Sequence, residues 1–433
     1  MRFIMSNEKI YIQIAAYRDP ELLPTIVDCL KKADNPENLT FGIAWQHSPE
    51  DGWDNLESYK SDERFRIIDI DLSEKESLGT CWARSLLNDT YKGEKYTLQL
   101  DSHHRFVRGW DTLCKKMFND LLNNGVKKPL ITAYLPSYDP ANDPGDRVRE
   151  VWKLDFDRFI PEGAIFMLPS ILENHEKYEL PIPTRFFSAH FVFTQGKFVE
   201  ECPYDPNLYF HGEEISLAVR AYTHGYDLFT PNRIVAWHEY TRKGRIRHWD
   251  ENRTWERLNN ASLRRVKILL DVDGSYDGTD FGKYGFGQER VKEQYELYAG
   301  IRFKDRAVQR YTKLNYEAPN PLYRTKEALE ESFRPVFKHC LDIHNSSLPE
   351  KDYDLFVIAL FDELGEEIYR KDLGEDEIRN LEYERTHRND DNGEFYNIWI
   401  DDEIKIKPYS WLIWPHSRTK EWCARIEGTL PYL

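Results

Sequence analysis

An apolar run of strand length, residues 96–100, ends in Asp101, Ser102, His103 and His104. A carboxylate and an imidazole two residues apart at a strand end project to the same side and can bind one divalent cation. This donor set suits Mn²⁺ better than Ca²⁺, and it lacks the thiolates of a structural zinc site. The alternative interpretation is that His103 and His104 only cap the strand.

A third histidine follows another apolar run, residues 234–237. By itself, His238 is more often a hydrogen-bonded polar residue at a strand end than a ligand. Next to Asp101 and His103, however, it could complete a set of three ligands. Three such groups at strand ends of one sheet favour a metal site over three unrelated caps.

Two adjacent acids, Glu213 and Glu214, follow Gly212 at the start of a predicted amphipathic helix over 213–224. One carboxylate can stabilise the helix dipole in the first turn. The second then remains free to meet a polar substrate. Either acid could bind substrate hydroxyls or take part in proton transfer.

The first predicted strand, 10–16, leads into Arg18 and Asp19, where an open α/β sheet faces its ligand crevice. Arg18 could bind a diphosphate, and Asp19 could hydrogen-bond a base or a ribose. The alternative is that Asp19 caps a helix beside a surface arginine. Arg84, in a predicted helix over 78–87, is a further candidate for phosphates or ribose, although a lone arginine is more often a surface residue.

Hydrophobic periodicity predicts strands that alternate with helices. This order indicates an α/β fold with a mixed, mostly parallel sheet and helices on both faces. Residues 271–287 contain five glycines, and such a long connection is more often a lid or substrate loop than a simple link. The strands are predicted over 10–16, 40–46, 66–71, 96–100, 129–133, 164–168, 190–193, 227–230 and 234–237, and the helices from Pro20 and over 78–87, 213–224, 254–270 and 288–299.

The chain has 433 residues and a formal charge of −16. Composition changes near residue 330, which predicts a domain over 1–330 and a small acidic β-rich accessory domain over 331–433. The accessory strands are predicted over 353–361, 394–400 and 410–414. Its aromatic residues could stack on sugars, but their alternation along strands favours a buried core. They are Tyr396, Trp399, Tyr409, Trp411 and Trp414.

The charge balance argues against a surface that neutralises many phosphates, and it makes adhesion to anionic lipid unfavourable. No apolar run approaches the roughly 20 residues of a membrane helix, so we expect no membrane partner. The polar start over 1–6 predicts no signal peptide. Six scattered cysteines without a CxxC pair indicate reduced thiols in a cytoplasmic protein.

Three segments together resemble one family. Residues 14–19 (IAAYRD), 99–106 (QLDSHHRF) and 211–222 (HGEEISLAVRAY) are similar to the GT-A glycosyltransferases that include the cytoplasmic Skp1-hydroxyproline N-acetylglucosaminyltransferase. Gly109-Trp110-Asp111 and the segment from Gly285 to Tyr295 add to this resemblance, which covers about residues 8–305. The family is similar to polypeptide N-acetylgalactosaminyltransferases in its Asp-x-His motif and distant third histidine.

The resemblance implies a nucleotide-sugar donor, usually a UDP-sugar, and Mn²⁺ (or Mg²⁺) bound by Asp101, His103 and His238. It also implies retention at the anomeric carbon, with Glu213 and Glu214 beside the sugar and the acceptor. The expected sugar is N-acetylglucosamine or another hexose, moved to a hydroxyl of a protein or glycoconjugate. The predicted donor-binding residues are Ala16, Tyr17, Arg18, Asp19, Arg84, Asp101 and Ser102.

Two other functions remain open from the sequence. The enzyme could glycosylate a hydroxylated base in phage-type DNA, although the acidic charge weighs against a DNA acceptor. Alternatively, the chain could be a non-catalytic carbohydrate-binding protein with an inactive transferase core. The intact Asp101, His103 and Glu213-Glu214 argue against that third hypothesis.

Overall fold

A computed structural model describes residues 8–53, 55–72, 77–241, 244–387 and 393–431. Residues 1–7, on which the prediction of no signal peptide rests, lie outside the described residues. Within the described ranges, no helix combines the length and the apolar character needed to cross a bilayer.

The described chain contains 22 strands and 11 α-helices. The strands are β1 (Ile10–Tyr17), β2 (Leu39–His47), β3 (Phe65–Asp71), β4 (Tyr96–Leu100), β5 (His104–Phe106), β6 (Pro129–Thr132), β7 (Trp152–Phe159), β8 (Ile165–Ile171), β9 (Ile182–Pro183), β10 (Phe191–Gln195), β11 (Asp227–Thr230), β12 (Ala236–His238), β13 (Ile301–Arg302), β14 (Ala307–Gln309), β15 (Phe333–Pro335), β16 (Phe337–His344), β17 (Tyr353–Phe361), β18 (Glu367–Gly374), β19 (Phe395–Asp402), β20 (Ser410–Ser417), β21 (Glu421–Trp422) and β22 (Ile426–Thr429). The helices are α1 (Leu22–Lys32), α2 (Thr80–Leu87), α3 (Trp110–Asn123), α4 (Phe198–Glu201), α5 (Glu213–Thr223), α6 (His248–Glu251), α7 (Trp255–Leu270), α8 (Lys292–Ala299), α9 (Arg310–Lys313), α10 (Lys326–Ser332) and α11 (Glu375–His387).

The central sheet has eight strands in the order β3-β2-β1-β4-β10-β6-β11-β9. The pairs β1–β2, β1–β4, β2–β3 and β6–β11 are parallel, whereas β10 and β9 run antiparallel to their neighbours. Alternate residues of β1 and β4 pack against α1 and α3, and α2 packs on the other face against β1 and β2. The predicted α/β fold, with a mixed, mostly parallel sheet and helices on both faces, is therefore confirmed.

Two predicted strands form outside the central sheet. The strand predicted over 164–168 is β8, which makes an antiparallel hairpin with β7. The strand predicted over 234–237 becomes β12 and pairs with the short β5. Sequence periodicity indicates that a segment is extended, but it does not choose the partner strand, because that choice depends on contacts distant in the chain.

Beyond β15, the strands form separate sheets around their own apolar core, which includes Leu341, Phe356 and Ile398. The predicted strands over 353–361, 394–400 and 410–414 are present, but α11 and β18 were not anticipated. The predicted extra β-rich region is thus confirmed, and the division at residue 330 stays a prediction.

The aromatic residues of this region divide between core and surface. Tyr396 is buried, as the core interpretation predicts, and Trp411 and Trp414 are half-buried. Trp399 and Tyr409 are 42% and 48% exposed, so the core interpretation is wrong for these two residues.

Candidate active site

A two-stranded ribbon brings the metal-type motif to the distant histidine. Strand β5 begins at His104, directly after the Asp101-Ser102-His103 turn, and pairs antiparallel with β12 so that His238 lies opposite His104. The main chain of His238 also donates to the carbonyl of Pro136 at 3.0 Å. This ribbon fixes the backbone of His238 beside the end of β4.

The structure brings Asp101, His103 and His238 together, with one potential ligand atom of each within 4.8 Å of the others. The Nε2 atoms of His238 and His103 lie 3.4 Å and 3.8 Å from Oδ2 of Asp101. One carboxylate and two imidazoles, without thiolates, match the ligand chemistry of Mn²⁺. His104 is not a member of this set, and its Nδ1 lies 3.1 Å from the main-chain oxygen of Asp101.

Asp19 lines the cavity and also contacts the ring of His103. Its Oδ2 is 2.7 Å from Nδ1 of His103 and accepts a hydrogen bond from the Ser102 hydroxyl at 2.6 Å. Its Oδ1 accepts from Arg245 at 2.6 Å. A carboxylate on Nδ1 fixes the ring orientation and leaves Nε2 available to a metal. Both oxygens are therefore engaged within the protein. Asp19 and Ser102 also line the cavity, and their contact with a donor stays a prediction.

We expect Asp19→Asn to weaken Mn²⁺ binding by about 10- to 100-fold, because the amide holds His103 less firmly and donates less electron density to its ring. Calorimetric titration of the metal-free protein with Mn²⁺ measures this effect. Glu21→Gln is the matched control, since Glu21 pairs with Arg105 and does not contact His103. Equal Mn²⁺ affinity in Asp19→Asn and wild type would contradict the positioning role.

Arg84 is the cation beside the carboxylate of Asp101. Its side chain is 1% exposed, and its NH2 group donates to Oδ1 of Asp101 at 2.5 Å. Its Nε and NH1 atoms are buried without a hydrogen-bond partner among the described residues. Buried, unsatisfied guanidinium donors are costly unless an anion binds them. The predicted position of Arg84 next to phosphates therefore agrees with its surroundings.

The surroundings of Asp101 and His238 keep both side chains in the protonation states that bind a metal. Burial alone would raise the pKa of Asp101, but a hydrogen bond with His238 and the charge of Arg84 hold it well below its ordinary value. Burial lowers the pKa of His238. An ionised carboxylate and a neutral imidazole are the forms that bind a divalent metal.

Arg18 pairs with two carboxylates of the chain itself, so its predicted role at a diphosphate stays a prediction without support from its contacts. Its guanidinium makes two hydrogen bonds of 2.7 Å to Asp51 and one of 2.5 Å to Glu251. These carboxylates come from distant segments that no local pattern reveals.

Ala16 is buried, and its carbonyl accepts a hydrogen bond from Gln46 at 3.1 Å. Tyr17 does line the cavity and donates its hydroxyl to Glu251 at 2.7 Å.

Glu213 is buried and Glu214 is half-buried at the start of α5, next to Arg84. Glu214 accepts from the main-chain N–H of Ala189 at 2.8 Å and from the Tyr134 hydroxyl at 2.7 Å. Burial raises the pKa of Glu214 to about 7. Burial and the neighbouring Glu214 raise the pKa of Glu213 well above its ordinary value. The first acid begins the helix, and the second is oriented by two fixed donors.

The raised pKa of Glu214 predicts a pH-dependent stability. The folded protein retains this proton between pH 4.5 and about 7, so the group destabilises the fold progressively as pH rises through that window. In EDTA, we expect Glu214→Gln to be more stable relative to wild type at pH 8 than at pH 5, by about 2 kcal/mol. Urea unfolding at both pH values measures the difference, with the exposed Glu173→Gln as control. The same difference at both pH values would contradict this prediction.

One cavity of about 400 Å³ is lined by Asp101, His238, Arg84, Glu213 and Glu214, whereas His103 is fully buried and is not among its lining residues. None of the residues 271–287 line it, since that loop packs on α5, where the main-chain N–H of Gly287 donates to Thr223 at 2.9 Å. The structure therefore gives no support to the predicted glycine-rich lid.

Sequence reasoning also missed several residues that line the cavity, because single aromatic or basic residues in irregular segments carry no recognisable pattern. They are Tyr134, His190, Tyr240, Arg247, His248 and Trp249.

A mixed α/β sheet with an Asp-x-His turn at the end of a central strand is the arrangement that the sequence resemblance to GT-A glycosyltransferases predicts. The profile of the family described as Glycosyltransferase (GlcNAc) matches residues 9–66 and 55–305. The chain belongs to this family. A comparison with curated protein sequences gives no match.

Several solved structures are similar. GalNAc-T7 with UDP, GalNAc and Mn²⁺ is 12% identical with a TM-score of 0.44, over 61% of this chain and 48% of that one, so the chain spans about half the length of GalNAc-T7. S. aureus TarS 1-349 with UDP-GlcNAc is 12% identical with a TM-score of 0.39, over 69% and 72%. The mannosyltransferase PcManGT from Pyrobaculum calidifontis, with GDP-Man and Mn²⁺, is 11% identical with a TM-score of 0.35, over 60% and 71%. The family match, rather than these structures, carries the assignment.

Proposed function

We propose that this chain is a metal-dependent glycosyltransferase that moves a sugar from a UDP-sugar to an acceptor hydroxyl. The observation that carries this proposal is the convergence of Asp101, His103 and His238 within 4.8 Å, at a cavity that Asp101, His238, Arg84 and Glu214 line. The residues fit Mn²⁺, and Mg²⁺ less well, because Mg²⁺ is bound mainly through oxygen ligands.

Each residue has a role in this proposal. A bound Mn²⁺ would supply positive charge for the departing diphosphate, which then needs no general acid. Arg84 binds phosphate oxygens through its buried, unpartnered nitrogens. The ionised Glu214, held by Ala189 and Tyr134, stabilises the positive charge that grows at the anomeric carbon. Glu213 binds hydroxyls of the sugar or the acceptor.

The proposed sugar, nucleotide and acceptor rest on different observations. The family description supports N-acetylglucosamine as the transferred sugar, with another hexose as the alternative. The use of UDP and retention at the anomeric carbon rest on the sequence resemblance. The proposed acceptor is a protein or glycoconjugate, and DNA is disfavoured by the charge of −16.

We also propose a cytoplasmic location, which the state of the cysteines supports. All six are free thiols, and Cys29, Cys81, Cys114 and Cys202 are buried. Free thiols persist in a reducing compartment.

The test is release of free nucleotide from a panel of UDP-, GDP- and dTDP-sugars, each with Mn²⁺, Mg²⁺ or EDTA. We expect slow hydrolysis of one UDP-sugar, fastest with Mn²⁺ and absent with EDTA. Calorimetric donor binding is measured in parallel, because a binder without turnover would support the non-catalytic alternative. No hydrolysis and no metal-dependent donor binding would contradict the proposal.

A further inference from the structure

Trp399 is an exposed aromatic residue in a strand whose neighbours are buried. In β19, Ile398 and Ile400 are 2% and 1% exposed, whereas Trp399 between them is 42% exposed. Alternation along a strand places Trp399 on the outer face of the β16–β19 pair. Core packing therefore does not explain this indole.

A chain of side chains connects Trp399 with the wall of the active-site cavity. The guanidinium of Arg158 in β7 lies 5.3 Å from the centroid of the Trp399 ring and 4.3 Å from that of Phe166. Phe166 lines the cavity together with His211. Arg158 therefore connects the outer face of the C-terminal strands with the cavity in which we propose that transfer occurs.

Ion pairs fix this connection. Lys338 in β16 donates to Asp157 at 2.5 Å, and Asp157 also pairs with Arg158. Lys338 itself lies 5.5 Å from the centroid of the Trp399 ring. These contacts hold the C-terminal pair of strands against the β7–β8 hairpin, so the indole is presented in a defined position.

The polar groups around Trp399 balance in charge. Asn397 and Asp401 lie two residues before and after it, on the same face of β19. Asp401 pairs with Lys313 at 3.0 Å, and Asn397 donates to Asp342. The cations Lys313, Lys338 and Arg158 balance the carboxylates Asp157, Asp342 and Asp401, so these groups offer no excess positive charge to a polyanion such as DNA.

An apolar indole face bordered by amide and carboxylate groups complements a sugar ring, which has an apolar C–H face and hydroxyl donors at its edge. We propose that Trp399, Arg158 and Phe166 form an acceptor subsite that binds an uncharged pyranose ring of a glycan acceptor. This inference rests on the proposed function and narrows its acceptor from a protein or glycoconjugate to a glycan.

The test is direct binding of neutral disaccharides, N,N′-diacetylchitobiose, cellobiose and lactose, to the full chain without metal or donor, measured by saturation-transfer NMR and calorimetry. We expect one disaccharide to bind wild type, Trp399→Ala to weaken its binding about tenfold, and Trp399→Phe to weaken it about threefold. Trp422→Ala is the matched control, since Trp422 is 45% exposed on a different sheet. We expect this control to bind like wild type.

Three outcomes overturn the inference: no disaccharide binds, Trp399→Ala binds as well as wild type, or Trp422→Ala is weakened equally. Displacement of a bound disaccharide by a DNA duplex with higher affinity would replace it with the DNA alternative. Because this binding needs neither metal nor donor, its failure is distinguishable from failure of the donor hydrolysis that tests the proposed function.

Discussion

Replacement of Asp101 with asparagine is expected to lower Mn²⁺-dependent donor turnover by about a thousandfold or more. The variant loses the anionic member of the ligand set, which lies 3.4 Å from His238 and 3.8 Å from His103. It also removes the ion-pair partner of the buried Arg84. Both losses act at the place where charge develops on the diphosphate, so turnover decreases more than global stability.

Mn²⁺ affinity and nucleotide release are both measured, with thermal unfolding as the test of folding. Asp227→Asn is the matched control, because Asp227 is the first residue of a sheet strand, β11, and pairs with Arg290 outside the cavity. If Asp101→Asn fails to fold, His238→Gln provides a second test with the same expected direction. Wild-type turnover in a folded Asp101→Asn protein would disprove the ligand assignment.

The second large effect is expected for Glu214→Gln, which we predict to lower kcat by about a hundredfold while donor affinity changes less than about threefold. The carboxylate is fixed by Ala189 and Tyr134 and acts on charge that exists only in the transition state. The neutral amide removes this stabilisation and leaves the metal ligands and Arg84 in place. Single-turnover kinetics and donor titration separate the two quantities.

The chain offers a close control in Glu201, which accepts from the hydroxyl of Tyr226 at 2.8 Å outside the cavity. Glu201→Gln removes a similar carboxylate–tyrosine contact and should retain wild-type kcat. Tyr134→Phe keeps the Glu214 charge but loosens its position, so we expect an intermediate loss of about tenfold. A weaker donor affinity with unchanged kcat in Glu214→Gln would assign this residue to binding alone.

The sequence by itself determined the central strands and the short-range part of the site. The apolar run before Asp101 is long enough to define β4, and a spacing of two residues places Asp101 and His103 on one side. The Gly212-Glu213-Glu214 start of α5 is equally local, because helix initiation depends on adjacent residues. Features encoded within a few residues are readable without the fold.

Only the tertiary structure decided which distant groups meet. The pairing of β12 with β5 places His238 next to Asp101. The fold also brings the carboxylate of Asp19 within hydrogen-bond distance of His103. Arg18 forms an ion pair with Asp51. Arg158 contacts the ring of Trp399 and so connects this indole with the cavity wall. Each of these contacts joins segments far apart in the chain, and such contacts depend on packing energies of the whole fold rather than on local residue patterns.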